Sequence, residues 1–465
     1  MSTRYDLILR NVMTIERGAC DVALADGYIA AIEARIEAFG PERDCGGNLL
    51  LPGLIDHHIH LLATAAKLQS ADLSGLVREE AIVRRLREAA SKLSPEEPLR
   101  ATGYDERALA IPGRAELDCW VADRPLRVQD RTGALWLLNS PAVAQLGNAP
   151  WPDCVETDDC GEPTGRIWRG DGWLRERLGG RPPSLAPLAA QLSRLGITGV
   201  TDTGAANGAS EAGLFERSRE SGQLPQKLQL MGTEDMPEGT GYRRGPLKLL
   251  YDERDLPPLD IVADRIRRAR DQGRAVAAHC VTEGELSYFL AALDIAGGSR
   301  QGDRIEHGSM ISAGAIGEIA KRGLTVVTHP SFVHDRGDRY LETIDDDARQ
   351  DLYRLASLEA GGVNLAGGSD APYGSFDPWL AMRSGATRRT ASNRPLGSDE
   401  ALPPDRILQM YLLPFDLSTG APRTVSPDAA ADLCLFDGTV RDLVHDARAE
   451  RVLLTLIDGR PVFEQ

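Results

Sequence analysis

The sequence predicts an α/β protein, a (β/α)8 TIM-type barrel joined to a small β domain that both termini form. Two observations carry this prediction. Apolar strand-like segments alternate with helical segments through most of the 465 residues, which is typical of a parallel sheet covered by helices. At both ends of the chain the helical segments stop, and short strand-like segments follow one another, with Asp-Gly pairs among them.

The two ends of the chain carry apolar segments rich in β-branched residues, and Asp-Gly pairs at 26–27, 437–438 and 458–459 favour tight turns. Each end alone would expose an apolar face. We therefore expect residues 1–50 and 405–465 to pair into one composite β-sandwich domain, the alternative being two unrelated β extensions. The predicted segments are Leu7–Ile15, Asp21–Ile32, Ala431–Phe436 and Arg451–Ile457.

Residues 51–404 are predicted to form the barrel. Its helical segments include Asp260–Gln272, in which apolar residues recur at near-helical spacing before Gly273, a typical stop. The strand-like segments match the eight strands of a (β/α)8 barrel. They are Leu51–His60, Gly199–Asp202, Lys227–Gly232, Pro246–Tyr251, Ala275–Cys280, Arg304–His307, Thr325–His329 and Val363–Asp370.

The segment between the first two barrel strands is far longer than one helix needs. It holds a predicted helix at Val77–Lys92, strand-like Leu99–Tyr104 and Pro125–Gln129, and a Gly-, Pro- and Asp-rich stretch with tryptophans at 150–183. We expect the first barrel helix to be followed by a lid-like insertion, at about residues 95–185, over the barrel mouth.

The composition argues against several classes of partner. Asp and Glu number 69 against 53 Lys and Arg, and the net charge of −16 disfavours nucleic acid. Seven scattered cysteines without a C-x-x-C pair favour free thiols in a reducing cytoplasm. No signal-peptide or membrane-span pattern is evident. We therefore expect a cytoplasmic protein that acts on a small-molecule substrate; a homo-oligomer remains open.

Ionisable residues close five of the predicted barrel strands. The carboxyl ends of barrel strands build the active site in this fold, and a buried ionisable group is costly unless it has a partner or a metal. Alternation along the first strand places His58 and His60 on one face and His57 on the other. The pattern favours a metal site with the candidate ligands His58, His60, Lys248, His279, His307 and Asp370.

These residue types suit hydrolysis by an activated water. Histidine and carboxylate ligands with an open position fit a zinc-class divalent ion, which lowers the pKa of its water towards ~7. Asp370 could take the proton of that water and return it to a leaving nitrogen. Burial lowers the pKa of a lysine, so that Lys248 could capture carbon dioxide as a carbamate and bridge two ions.

Several motifs resemble those of a known family. Pro52–His60, Ile305–Gly308 and Gly368–Asp370 look like the signature segments of the amidohydrolase superfamily. Further segments resemble its family 3, the N-substituted formamide deformylase-like metal-dependent hydrolases. Those further segments are Gly103–Glu106, Leu138–Ser140, Gly161–Gly165, Leu195–Thr198 and Ala431–Leu433. The resemblance extends over essentially the whole chain.

The resemblance implies two ions bridged by a carboxylated lysine. The ligands would divide into His58, His60 and Asp370 on one ion and His279 and His307 on the other, with Lys248 between them. The segment after that lysine, 249–254, departs from the family pattern, so one ion or two remains open. Upstream of Asn139, segment 133–137 lacks a histidine that relatives carry, which favours a different substrate.

The substrate-binding candidates lie mostly in the predicted insertion. The resemblance favours Tyr104 and Asp105 as pocket residues, and Trp136 and Trp168 could wall the pocket or form the insertion's own core. His329 could face the substrate or hydrogen-bond a ligand from behind.

The predicted function is cleavage of a C–N bond in an amide, formamide or cyclic amide by metal-hydroxide attack, with Asp370 as proton shuttle. The protein is expected to be an amidohydrolase acting on carbon-nitrogen bonds other than peptide bonds. An aminohydrolase acting on a heterocyclic ring amidine is the alternative, and a non-catalytic scaffold on the same fold is a third.

Overall fold

The computed structural model describes residues 4–94, 97–179, 182–418 and 420–465. Contacts divide the chain into two compact units. The first unit comprises residues 1–61 and 185–465, and the second comprises residues 62–184. The domain boundaries predicted from the sequence, including the insertion at about 95–185, stay predictions, and each unit is described by itself.

The strands are Leu7–Thr14 (β1), Gly18–Ala25 (β2), Tyr28–Glu33 (β3), Glu42–Asp44 (β4), Leu49–Pro52 (β5), Leu54–Ile59 (β6), Ala71–Asp72 (β7), Leu99–Tyr104 (β8), Leu126–Asp130 (β9), Leu135–Leu138 (β10), Val155–Thr157 (β11), Pro163–Trp168 (β12), Ile197–Asp202 (β13), Lys227–Gly232 (β14), Arg243–Leu249 (β15), Val276–Cys280 (β16), Arg304–His307 (β17), Thr325–Thr328 (β18), Asn364–Gly367 (β19), Leu433–Phe436 (β20), Val452–Ile457 (β21) and Arg460–Glu464 (β22).

The helices are Leu61–Leu68 (α1), Glu79–Ala90 (α2), Arg114–Trp120 (α3), Ser140–Ala144 (α4), Asp171–Leu178 (α5), Ala186–Arg194 (α6), Ala209–Glu220 (α7), Leu259–Asp271 (α8), Glu283–Ile295 (α9), Ala313–Lys321 (α10), Phe332–Asp335 (α11), Gly337–Thr343 (α12), Asp346–Arg349 (α13), Ala356–Ala360 (α14), Pro378–Thr387 (α15), Pro404–Tyr411 (α16) and Val440–His445 (α17).

Eight parallel strands form a nearly closed sheet in the order β6-β13-β14-β15-β16-β17-β18-β19. Its first and last strands meet through a parallel bridge between Ile59 and Ala371. The backbone N–H groups of Ser369 and Asp370 also donate to the His58 carbonyl, at 3.1 and 2.7 Å. This arrangement agrees with the predicted TIM-type barrel, in which such closure gathers the strand ends at one mouth.

Gly368 lies where the last strand approaches the first most closely. A Cβ atom at this position would stand 2.5 Å from the Cβ of His58 and 2.9 Å from its backbone nitrogen. A side chain would therefore push the two strand ends apart. Glycine at this position therefore allows the backbone after β19 to pack directly against the backbone of His58.

Two predicted strand ends are wrong by a few residues. The ladder of β18 ends at Thr328 and that of β19 ends at Gly367, before His329 and Asp370. The backbone of Asp370 has a φ of 52°, a left-handed conformation that cannot continue a strand. The carboxylate therefore sits in the first turn beyond the strand rather than on it.

Strands from both ends of the chain lie in one further sheet of eight strands, in the order β22-β21-β20-β5-β1-β2-β3, with β4 alongside β1. Its turns at Asp26–Gly27 and Asp458–Gly459 have positive φ at both residues, 51° and 81°, then 50° and 73°. This is the type I′ geometry that Asp-Gly pairs favour. Whether the sheet forms half of a sandwich stays a prediction.

The second unit has a six-stranded sheet of its own, in the order β11-β12-β10-β9-β8-β7. A buried apolar cluster that includes Leu86, Leu99, Leu117 and Leu135 packs helices α2 and α3 against it. The predicted role of this region as a lid stays a prediction. All seven cysteines are free, and no described helix is both long and apolar enough to cross a membrane.

Candidate metal centre

The first barrel strand places three polar residues on one face. Asp56, His58 and His60 alternate along β6 and its end, as the strand period requires. The carboxylate of Asp56 accepts hydrogen bonds from the backbone N–H groups of His58 and Ser369, both at 3.0 Å. Asp56 therefore fastens the first strand to the segment that carries Asp370.

Asp370 brings a carboxylate oxygen to both histidines of the first strand. Its Oδ1 lies 3.4 Å from His58 Nε2 and 3.3 Å from His60 Nε2. Ligands at ~2.1 Å from a tetrahedral zinc-class ion are ~3.4 Å from one another. Both distances from the carboxylate oxygen therefore match those between ligands around one ion. His58, His60 and Asp370 form one of two described clusters in which three ligand atoms lie within 4.8 Å of one another.

Buried atoms without hydrogen-bond partners mark the same place. Among the described residues, His58 Nε2, Asp370 Oδ1 and Lys248 Nζ are buried and make no hydrogen bond. Such atoms are costly unless a ligand satisfies them. Burial lowers the pKa of Lys248 from its ordinary value. The residues present fit a divalent ion held by His58, His60 and Asp370.

An outer pair of charges orients His58. Its Nδ1 hydrogen-bonds to the Glu306 carboxylate, which also pairs with Arg304 through the guanidinium Nε and, at 3.1 Å, Nη2. All three side chains are at most 1% exposed. Burial would raise the pKa of Glu306, but Arg304 holds it well below the usual range. The carboxylate thus keeps the proton on Nδ1 and leaves the Nε2 lone pair to a metal.

A second chain of hydrogen bonds orients His307. His329 Nδ1 lies 2.9 Å from the Gly368 carbonyl, so this nitrogen carries the proton. His329 Nε2 then accepts from His307 Nδ1 at 2.9 Å, and His307 Nε2 is left with its lone pair. Burial lowers the pKa of His329 to about 3, which keeps this ring neutral. The hydrogen bond also explains the second described cluster, formed by His58, His307 and His329.

His307 reaches the barrel interior through an unusual backbone conformation. Strict alternation along β17 would send its side chain to the face opposite Glu306. A φ of 69° at His307 breaks the alternation, and its ring lies 4.5 Å from that of His279 at the end of β16. Strained backbone of this kind often occurs at functional sites.

The two predicted groups of ligands thus lie in one region of the barrel. Burial lowers the pKa of His279 to about 4, so this ring, like that of His307, is neutral and able to bind a metal. The division into two ions and the carboxylation of Lys248 stay predictions. His57 is fully buried and belongs to neither cluster.

The predicted substrate contacts in the second unit have partners inside that unit. Tyr104 is buried and its hydroxyl donates to the Ala110 carbonyl at 2.6 Å. Asp105 pairs with Arg107 at 3.0 Å and with Arg131 at 3.4 Å. Their contact with substrate stays a prediction.

The two tryptophans differ in exposure. Trp136 is buried, with the Arg100 guanidinium 5.0 Å from its ring centre. Trp168 is 44% exposed and its indole N–H donates to Glu156 at 3.3 Å. The substrate contacts predicted for these residues and for His329 stay predictions.

Sequence reasoning missed Arg304 and Glu306. The signal was present, because two charged residues alternate along a short strand whose neighbours are apolar. In a barrel, that alternation puts both side chains on one face. Their partner on the first strand becomes visible only when the sheet closes.

Fold and site together define a metal-dependent hydrolase. The model of the amidohydrolase family matches residues 42–463, and the chain belongs to this family. The predicted membership is thereby confirmed. The protein is an enzyme that acts on C–N bonds other than peptide bonds.

Two relatives match most of the chain. N-substituted formamide deformylase from Arthrobacter pascens is 25% identical, and the match covers 99% of this chain and 98% of the relative. Putative amidohydrolase YtcJ from Bacillus subtilis (strain 168) is 23% identical over 84% and 85% of the two chains. A solved metal-dependent hydrolase from Pyrococcus horikoshii OT3 shares the fold, with a TM-score of 0.76, 18% identity and coverage of 93% and 97%.

Proposed function

We propose that the protein hydrolyses the C–N bond of an amide, formamide or cyclic amide, and that N-substituted formamides are its first class to test. The observation that carries this proposal is the convergence of Asp370 Oδ1 on His58 Nε2 and His60 Nε2 at 3.4 and 3.3 Å. A relative similar along its whole length is an N-substituted formamide deformylase, which supports the formamide class.

The chemistry of the site follows from its donor set. A zinc-class ion, when bound, supplies Lewis acidity and lowers the pKa of a water towards ~7. His58 and His60 present their Nε2 atoms towards Asp370 Oδ1, and Glu306 holds the His58 ring in the orientation that metal binding requires. The proton transfers of the reaction are then assigned to Asp370.

Asp370 has two oxygens with different surroundings. Oδ1 faces His58 and His60, whereas Oδ2 is 3.8 Å from His307 Nδ1, beyond hydrogen-bond distance. We assign to Oδ2 the removal of the proton from the attacking water and its delivery to the leaving nitrogen. A carboxylate placed in this way contributes ~10²–10⁴-fold to such a reaction.

The test uses the purified protein loaded with zinc, manganese or cobalt. N-alkylformamides, the matching acetamides and cyclic imides are each followed by release of the amine or acid product. We expect turnover of at least one of these classes and its loss after treatment with a chelator. Release of ammonia from heterocyclic amidines, with no turnover of any amide, would contradict the proposal and favour a deaminase.

A further inference from the structure

Among the three residues proposed to hold the ion, His60 is the most exposed. The His60 side chain is 29% exposed, whereas the side chains of His58 and Asp370 are 1% and 8% exposed. The ring of Tyr373, in the segment after Asp370, meets the His60 ring edge-on at 5.9 Å and is itself 54% exposed. A substrate that enters along the His60 edge therefore passes Tyr373.

Arg336, in the segment after strand β18, is held against the same residue. Its Nε and Nη2 both donate to the Tyr373 carbonyl, at 3.1 and 2.9 Å. The guanidinium carbon lies 4.3 Å from the centre of the Phe332 ring and 5.9 Å from that of Tyr373. Phe332 in turn packs on His329 at 5.0 Å. These contacts connect the guanidinium to His60 through Tyr373 and to His329 through Phe332.

The contacts of Arg336 leave one edge of its guanidinium open. Nε and one side of Nη2 point to the Tyr373 carbonyl, so Nη1 and the other side of Nη2 form a second pair of parallel donors. No carboxylate in the described part of the chain pairs with Arg336. The adjacent Asp335 is engaged by His334 at 3.1 Å and by the backbone N–H of Ser375 at 2.8 Å.

Arg336 thus carries a positive charge that has no carboxylate partner among the described residues, in a chain with a net charge of −16. A planar pair of N–H donors matches a carboxylate with two parallel hydrogen bonds. As a residue Arg336 is half-buried, and its hydrogen bonds to Tyr373 lie at the exposed surface. The geometry is therefore that of a receptor for one carboxylate group.

We propose that Arg336 and Tyr373 form an anion subsite, and that the substrate is an amide or formamide whose nitrogen bears a carboxylate-terminated chain. Arg336 binds the carboxylate and the Tyr373 ring lies along the connecting chain. This inference rests on the proposed function. Because Tyr373 separates Arg336 from His60 by two contacts of 5.9 Å, the preferred substrate has a spacer between the scissile bond and the carboxylate.

The test compares two matched series on the metal-loaded enzyme. One contains ω-formamidoalkanoates of increasing length, and the other contains the corresponding terminal carboxamides, which are neutral. We expect one chain length to be optimal and the carboxylate there to have a kcat/KM at least about tenfold above the carboxamide. Arg336→Gln should abolish this preference, because it lowers the kcat/KM of the carboxylate series much more than that of the carboxamide series.

Two variants separate charge recognition from loop support. Arg336→Lys keeps the charge and should restore part of the carboxylate preference, whereas Arg339→Gln, at an exposed position on α12, should change neither series. If Arg336→Gln lowers both series equally, Arg336 only holds the Tyr373 segment and the subsite is refuted. Equal kcat/KM for both series in the unchanged enzyme would also refute it.

A binding measurement keeps the inference separate from the proposed function. Calorimetric titration of the metal-loaded protein with an ω-aminoalkanoate and with the matching ω-amino carboxamide needs no turnover. We expect the carboxylate to bind at least about tenfold more tightly, and this difference to vanish in Arg336→Gln. Such a result without hydrolysis of any formamide or amide would refute the proposed reaction alone. Equal binding of both compounds would refute the subsite.

Discussion

Replacement of Glu306 tests whether its hydrogen bond to His58 Nδ1 supports metal binding at Nε2 of the same ring. In the variant Glu306→Gln the side chain keeps one oxygen but gains an NH₂ group, and His58 and Arg304 both present donors to it. The amide oxygen can take the place of only one carboxylate oxygen, either Oε1 beside Arg304 Nε or Oε2 beside His58 Nδ1 and Arg304 Nη2. If it stays with Arg304, the amide N–H group faces His58 Nδ1 and favours the tautomer with the proton on Nε2, the atom that a metal needs free.

The structure sets the size of the effect. Loss of an outer hydrogen bond to a metal-binding histidine typically lowers metal affinity 10–100-fold, about 1.4–2.7 kcal/mol. Glu306 and Arg304 are at most 1% exposed, and breaking a buried pair costs roughly 3–5 kcal/mol of stability. We expect the lower end of that range, because Arg304 Nη2 also donates to the His57 carbonyl at 2.6 Å.

Competition with a chromophoric chelator measures the metal affinity, and thermal unfolding of the metal-free protein measures the stability. The matched control is Glu318→Gln, which removes a charge from an exposed pair with Lys321 and Arg322 and should leave both quantities nearly unchanged. Weaker folding with unchanged metal affinity would refute the argument, because Glu306 would then support the barrel without orienting His58.

Two further predictions concern the reaction and the fold. Asp370→Asn should retain bound metal, as measured by elemental analysis, but its kcat should fall ~10²–10⁴-fold. A kcat within threefold of that of the unchanged enzyme would refute the role of Asp370 in proton transfer. Glu400 accepts the backbone N–H groups of Leu355 and Ser357 at 3.0 and 2.9 Å and pairs with Arg354 at 3.0 Å. Burial would raise the pKa of Glu400, but these partners lower it, so its stabilisation is present above the ordinary carboxyl pKa and is lost as the pH falls through the folded value. Glu400→Gln should therefore lower the free energy of unfolding by ~1–3 kcal/mol at pH 7, with a smaller difference in acid; an equal difference at pH 3 and pH 7 in chemical denaturation would contradict this.

Local sequence patterns predicted the barrel strands well because the strands are mostly apolar runs, and five of the predicted ones carry an ionisable residue at or near their end. The segments Lys227–Gly232 and Arg304–His307 are strands with the predicted bounds. The predicted strand ends were wrong where pairing with a neighbouring strand, and not the apolar segment itself, determines where the strand begins or ends. Strand β15 begins at Arg243, earlier than predicted, because Arg243 and Arg244 pair with Gln229 and Leu230 of the neighbouring strand.

The sequence predicted which polar residues lie at the ends of single barrel strands. The sequence shows that histidines end strands, but their orientation depends on contacts between distant segments. Glu306 lies 248 residues from His58, and Tyr373 approaches His60 only because Asp370 leaves the strand with a left-handed backbone. Such contacts depend on closure of the barrel, which a local pattern does not contain.

The central claim is that His58, His60 and Asp370 hold one catalytic divalent ion. A crystal structure of the metal-loaded protein, with anomalous diffraction recorded at the absorption edge of the metal, tests it most directly. We expect a strong anomalous peak within bonding distance of His58 Nε2, His60 Nε2 and Asp370 Oδ1. An active enzyme whose peak lies away from these three atoms, or which shows no peak at all, would contradict it.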